Sequence, residues 1–427
     1  MKTVIKNGRI VDPSTSTDAR MDILIDNGKI AGLEARIDVK AENSIDASNL
    51  VVAPGFIDMH VHLREPGQEH KETIRTGTRA AARGGFTSVA CMPNTFPVND
   101  NPEITEYIMT ESAKKAVVNV FPIAAVTKGQ KGEELTDMAG LKNTGAVAFS
   151  DDGSPVANSL LMRKALENSN LIEALVINHC EDRDLADKGV MNEGYYSRLY
   201  GLAGIPGSSE EVMVFRDTIL AQSVHARIHI AHLSVKGSAE ILRAAKKKGI
   251  HVSAEVTPHH LFLTDESLKN HDTNLKMNPP LRSQADVEAL LKALKAGVID
   301  VLATDHAPHT PEEKSVEFDR APFGIIGLET AVPLFLDRLV HKRLLSLSRF
   351  IQMISTNPAR ILGLSTKGKL TLGSDADLTL LDLGKEIVID VNRFESKSRN
   401  SPFHGWRLRG SPVMTIVNGR IVYPFTQ

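Results

Sequence analysis

The chain has 427 residues, of which 42% are hydrophobic and 24% charged, and a formal net charge of −2. That length exceeds one ordinary core of about 100–200 residues, though a barrel domain could take most of it. The near-neutral balance leaves no basic field to attract nucleic acid or an anionic membrane. The two cysteines, Cys91 and Cys180, exclude a disulfide framework and suit a reducing cytoplasm.

The N-terminal MKTVIKNGR turns polar at once, so no signal-peptide core is expected, and no run approaches the roughly 20 apolar residues that span a bilayer. Next comes an Asn-Gly pair between short β-rich runs in IKNGRIVD (5–12). It is repeated loosely in LIDNGKIAG (24–32) and closely in IVNGRIVYP (416–424). Asn-Gly in that setting is the strongest short-range hairpin signal. The echo between the two ends predicts a small β domain assembled from both termini, because domain termini often lie close together. GKLTLGSDADLTLLDL (368–383) adds alternating strands on the C-terminal side. The expected boundaries are 1–52 and 365–427 for this domain and 53–364 for the part inserted between them.

In the inserted part eight β-rich runs alternate with helical patterns. The runs are FIDMHVHL (56–63), FTSVACMP (86–93), VNVFPIAAV (118–126), AVAFSDDG (146–153), LVINHCED (175–182), RIHIAHLS (227–234), HVSAEVTPHHL (251–261) and VLATDHAPH (301–309). Helical stretches include 69–83, 210–222, 238–248 and 285–295. Strand–helix alternation argues for a parallel sheet, and no glycine-rich dinucleotide fingerprint follows the first strand. The predicted fold is therefore α/β: a (β/α)8 TIM-like barrel with a small β-sandwich domain built from both termini.

Polar residues fall at the C-terminal ends of these runs, the face where such barrels carry their active sites. His60 and His62 are two apart, so on a strand they share a face, with Arg64 continuing the line. An H-x-H pair alone is weak evidence. His179, His232 and Asp305 end three other runs, and Asp151-Asp152 ends a fourth, where one aspartate could be a turn residue and the other a ligand. A cluster of buried imidazoles and carboxylates is costly without a cation, and these are donors that ions such as Zn²⁺ accept.

GFIDMHVHLREPG (55–67), MPNT (92–95), FSDDG, NHCE, AEVTPHHL, MNPPLR (277–282), ATDHAPHT (303–310) and APFGIIGLET (321–330) together resemble the dihydroorotases. These are amidohydrolase-superfamily enzymes of pyrimidine biosynthesis, and the match is nearest to their bacterial type I branch. The resemblance covers essentially the whole chain in order. It implies reversible cyclisation of N-carbamoyl-L-aspartate to L-dihydroorotate and water by metal-activated hydroxide. It implies Zn²⁺, one or two ions per subunit with two favoured. His60 and His62 would ligate the first ion and His179 and His232 the second. Asp152 would bridge them, and Asp305 would be ligand and acid–base. Many relatives bridge with a carbamylated lysine on the fourth strand; here that run has none, and Lys142 lies before it.

The resemblance assigns the substrate carboxylate to Arg64, Asn94 and His309, and the ring to Asn278 and backbone groups of Phe323 and Gly324. His62 also borders the substrate. Guanidinium suits a carboxylate through a planar fork; an Arg64–Glu65 rim pair is the plain alternative. The charged excursion 307–324 is expected to cover part of the site. The expected partners are the small-molecule substrate, a second copy in a homodimer, and aspartate transcarbamoylase as an associate, with no nucleic acid and no membrane. Other features have plainer readings. Ser208 and Glu211 have capping-box spacing, Cys180 is a packed thiol, and His259 and His260 are left out of the metal set. Two rival readings stand: a hydantoinase or allantoinase, and an inactive homologue serving as a transcarbamoylase partner.

Overall fold

The computed structural model describes residues 2–425. The first strands are β1 (Lys2–Asp12), β2 (Thr17–Asp26), β3 (Lys29–Glu34), β4 (Asn43–Asp46) and β5 (Val51–Pro54). The central part opens with β6 (Phe56–Val61), β7 (Phe86–Cys91), β8 (Asn119–Ala124), β9 (Ala148–Phe149) and β10 (Val176–Asn178). A separate short parallel pair follows, β11 (Met191–Asn192) and β12 (Gly204–Ile205). Then come β13 (Ile228–Ile230), β14 (Val252–Val256) and β15 (Val301–Leu302), and finally β16 (Leu378–Val388), β17 (Arg407–Val417) and β18 (Arg420–Tyr423).

Each of the eight β-rich runs supplies one strand of a parallel sheet ordered β6-β7-β8-β9-β10-β13-β14-β15. The ends meet where His62 N donates to His306 O at 2.8 Å and Val61 bridges His306. Asp58 fastens the same seam, its Oδ1 accepting Thr304 N (3.3 Å) and His60 N (3.1 Å). Helices cover the outside. Gln284–Lys295 is representative: Ser283 and Asp286 form a capping box, and Val287, Leu290, Ala293 and Leu294 are buried at helical spacing. The helix Ser208–Ser223 starts differently from expectation. Its N-cap is Gly207, with no side-chain cap, and the adjacent Glu210 instead accepts Ser234 N and Val235 N on the next strand's loop. No helix among the described residues is long and apolar enough to cross a membrane.

The strands are shorter than the β-rich runs. β9 and β15 have two residues each, because the polar ends of the runs leave the ladder and turn over the barrel mouth.

The termini share one mixed sheet, ordered β18-β17-β16-β5-β1-β2-β3, with β4 also on β1. β5 runs parallel to β1 and antiparallel to β16, with Leu381 opposite Val51. Ile30 of β3 and Ile416 of β17 belong to one buried cluster with Ile5, Ile23, Val52 and Leu378, so the sheet folds over on itself. Asn27-Gly28 and Asn418-Gly419 make the expected tight turns, with φ of 77° at Gly28 and 76° at Gly419. Asn7-Gly8 does not. It is a bulge inside β1, where the register against β2 slips between Ile5 and Gly8. Asn7 takes φ 62°, its N–H donates to Asp22 Oδ1 and its side chain to Asp46 Oδ1. The backbone freedom that favours a turn serves equally for a bulge.

Candidate metal centre and active site

His60 lies in β6; His62, Asp152, His179, His232 and Asp305 follow the ends of β6, β9, β10, β13 and β15. All six are buried. Asp152 sits between the histidines. Its Oδ1 is 3.5 Å from His60 Nε2, 3.6 Å from His232 Nε2 and 3.7 Å from His179 Nδ1, while its Oδ2 is 3.5 Å from His62 Nε2. Asp305 Oδ1 is 3.4 Å from His60 Nε2 and 3.2 Å from His62 Nε2. His179 Nδ1 and His232 Nε2 are 2.8 Å apart. Donor atoms of His60, Asp152 and His232 lie within 4.8 Å of one another, as do those of His60, His62 and Asp305.

His60 Nε2 and Asp152 Oδ1 are buried without a hydrogen-bond partner among the described residues. Orphaned donors of these types facing one another fit a divalent cation. The electrostatics agree. Burial alone would depress the His60 imidazole, but the carboxylates of Asp152, Glu255 and Asp305 outweigh it and raise its pKa well above the usual value. Burial pushes the Asp152 carboxyl up, and His60, His232 and His62 reverse that, holding it well below the usual range. The centre of the cluster therefore favours positive charge. Asp151 is turned away: its Oδ1 accepts Val126 N (2.8 Å) and Thr127 N (3.1 Å), which pins the loop after β8.

Three site residues hold backbone conformations that side chains rarely adopt, Arg64 with φ 62°, His232 with φ 29° and Asp305 with φ 48°. Such strain is retained where surrounding contacts over-determine a functional geometry.

Several supporting residues escaped the sequence reading. Glu255, fully buried on β14, receives His60 Nδ1 at 2.5 Å and His229 Nε2 at 3.1 Å, and its Oε1 also accepts His232 N at 3.2 Å. Val252, Ala254 and Val256 pack into the core shared with the helices, which leaves Ser253 and Glu255 on the other face of the strand. A charged residue in an apolar β run was the available signal. Glu181, following His179, lies 3.9 Å from its Nε2. Burial pushes this carboxyl up, but His179 and Asn278 bring it down to about 2.

Arg64 lies beyond the end of β6 with φ 62°, so a turn rather than the strand pleat carries it. It is 8% exposed. Its Nε donates to Pro308 O at 3.3 Å and its Nη2 lies 3.4 Å from His309 Nε2. Among the described residues no carboxylate forms an ion pair with it. The Glu65 alternative fails: Glu65 pairs with Lys115 Nζ at 2.8 Å and accepts Ile74 N. Burial lowers the guanidinium to about 10.

Asn94 Oδ1 accepts from His62 Nδ1 at 2.8 Å, which orients that ring. Asn278 Nδ2 lies 3.4 Å from His179 Nε2, and its buried Oδ1 has no partner among the described residues. His309 Nε2 donates to Phe323 O at 2.9 Å. Gly324 N donates to Lys276 O, and Gly324 O accepts from Asn400, so three of these backbone groups are satisfied inside the protein. Gly324 has φ 126°, and a Cβ there would lie 2.7 Å from Ala307 Cβ and 3.3 Å from His309 Nε2, so only glycine fits. The excursion 307–324 contains a short helix, Pro311–Lys314, and the buried Lys314 Nζ ties it down by donating to Pro322 O, Thr273 O and Lys276 O.

An amidohydrolase family model matches residues 210–423, and a dihydro-orotase-like model matches 49–238. The fold is similar to that of the L-hydantoinase (dihydropyrimidinase) from Arthrobacter aurescens, with TM-score 0.90 at 27% identity over 98% of this chain and 95% of that one. Fold and matches together define the class, an amidohydrolase. Dihydroorotases from Pelotomaculum thermopropionicum and Acetivibrio thermocellus are 54% and 51% identical, covering 99% and 98% of this chain and 98% of each relative. The chain belongs to the dihydroorotase family.

Proposed function

We propose that the chain interconverts N-carbamoyl-L-aspartate and L-dihydroorotate in pyrimidine biosynthesis. The observation that carries the substrate is Arg64: a buried guanidinium with no carboxylate paired to it among the described residues, beside a His/Asp centre. A substrate carboxylate supplies the missing anion in a bidentate pair, with Asn94 and His309 alongside. Asn278 Oδ1, unpartnered and buried, accepts a ring N–H, and the Phe323–Gly324 backbone borders the ring.

The residues that would hold metal are His60 and His62 at one position and His179 and His232 at the other. Asp152 would serve both, since its two oxygens face different histidines. We assign zinc, two ions per chain. When bound it supplies a Lewis acid that polarises the amide carbonyl and lets water attack at neutral pH. In ring opening, Asp305 takes the attacking water's proton and delivers it to the departing ring nitrogen as the C–N bond breaks; ring closure reverses each transfer. Glu255 holds His60 through Nδ1, leaving Nε2 for the centre.

Purified protein should turn over dihydroorotate, lose activity to a chelator and regain it with zinc, with elemental analysis giving two zinc ions per chain. No turnover after zinc loading would sink the reading in favour of an inactive transcarbamoylase partner. The likeness to hydantoinases supports the second reading, so hydantoin and allantoin belong in the same assay. Against it, β9 carries no lysine, and Lys142 is on the helix Met138–Thr144, where it donates to Ile172 O. Glu255→Gln keeps shape and removes charge; we expect metal affinity weaker by about 10–100-fold with KM unchanged in zinc-saturated enzyme.

We further place the enzyme in the cytoplasm, which suits its two buried free thiols. Val212, Phe215 and Ile219 form an exposed apolar stripe on the helix Ser208–Ser223, which supports burial in a homodimer. Sedimentation of the isolated chain checks that state, and its activity alone shows whether aspartate transcarbamoylase is needed.

A further inference from the structure

Between β16 and β17 the chain leaves the small sheet and runs along the barrel mouth. Ser396 Oγ and Lys397 N donate to Glu72, and Ser398 Oγ donates to Lys71 O at 2.8 Å, so the segment is fastened to the loop that follows β6. Asn400 comes next and is 4% exposed. Its Oδ1 accepts His309 N at 3.2 Å, and its Nδ2 donates to Ala307 O at 3.0 Å and Gly324 O at 3.1 Å. Its backbone O accepts Ile326 N at 3.0 Å. One acceptor meets one N–H and two donors meet two carbonyls, which fixes the orientation of the amide.

These three groups belong to the two ends of the 307–324 excursion. The same ends present Pro308 and His309 to Arg64, and Phe323 O to His309. A backbone bond from Ala307 N to Ile325 O at 2.8 Å already joins these ends at their base. The Asn400 side chain adds the cross-link that ties His309 N to Ala307 O and Gly324 O nearer the guanidinium. Buried backbone groups without partners are costly, so losing Asn400 would let His309 and Gly324 shift relative to each other or admit water, while the base of the excursion stays joined through Ala307 N and Ile325 O.

We propose that Asn400 is a positioning residue for the substrate-carboxylate pocket: by joining His309 N to Ala307 O and Gly324 O it holds His309 and Gly324 in register with Arg64. The inference rests on the assignment of Arg64 and His309 to the substrate carboxylate. Asn400 itself touches neither substrate nor metal ligands, so its effect falls on binding and spares the centre.

The test measures dihydroorotate ring opening, zinc content and thermal melting for Asn400→Asp, Asn400→Ser and Arg64→Lys, and for Asn400→Ser combined with Arg64→Lys. Aspartate keeps volume and the Oδ1 acceptor but sets an anionic oxygen against two carbonyls; serine is too short to reach both ends. In both Asn400 variants KM should rise about tenfold or more, with kcat within about threefold and zinc unchanged. The double variant should raise KM by less than the product of the single effects, because both act on one pocket. If Arg64→Lys raises KM while the Asn400 variants leave it unchanged, or lose kcat and zinc instead, Asn400 does not have this role. Failure of both Asn400 variants to yield folded, zinc-loaded protein also overturns it, in favour of a purely structural part. If Arg64→Lys itself leaves KM unchanged, the carboxylate assignment fails first.

Discussion

His60→Ala is expected to retain less than about a tenth of the bound zinc and to lose turnover by about 10⁴-fold or more. The reason is the number of contacts that converge on this ring. Nε2 faces Asp152 and Asp305 at 3.5 and 3.4 Å, and Nδ1 meets Glu255 at 2.5 Å. Removing it deletes a ligand and strands three buried carboxylates around a void, which also threatens folding. His60→Asn separates the two effects. Its amide can still donate to Glu255, but it has nothing at the place of Nε2. We expect a melting temperature near that of the zinc-free wild type together with the full loss of zinc and activity. Wild-type zinc content in His60→Asn would remove His60 from the ligand set.

Arg64→Lys is the second large effect and the opposite in kind. Zinc content and kcat should stay close to wild type while KM for dihydroorotate rises by roughly 10–100-fold. Lysine keeps the charge but cannot pair with two carboxylate oxygens in one plane, and it abandons the donation to Pro308 O. Steady-state kinetics on zinc-saturated protein decide it. A fall in kcat at constant KM would mean that Arg64 acts on the reacting centre and not on the carboxylate.

The barrel was legible because its signals are local. Alternating β-rich and helical texture marks every strand, and polar residues placed at run ends mark the mouth whichever strand they follow. The residues expected to gather there, His60, His62, Asp152, His179, His232 and Asp305, do meet in space. Asn7-Gly8 was misread because a left-handed asparagine serves a bulge as well as a turn. Glu255, Asp58 and Asn400 were not legible for a different reason. Glu255 acts on His60 from 195 positions away, Asp58 on Thr304 across 246, and Asn400 on His309 across 91. A charged residue in an apolar run marks Glu255 as unusual, but a lone glutamate, aspartate or asparagine does not say which distant residue it meets. Arg64 lay between these cases: its residue type was informative, but that no carboxylate among the described residues pairs with it required the structure.

The two-ended sheet bears on how the chain reaches its native state. β1, β2 and β3 pair locally, but Val51–Pro54 finds its antiparallel neighbour only at Leu378–Leu381, so on the ribosome the sheet stays incomplete until nearly the whole polypeptide has emerged. Non-local pairing of this kind is slow and leaves strand edges exposed meanwhile. The barrel units, each closing over a few dozen residues, can form as they are made, and the sheet then seals around a body already shaped. A nascent chain arrested before Leu378 should show protease-resistant barrel fragments and a labile N-terminal segment; protection of residues 2–54 at that length would refute this order of events.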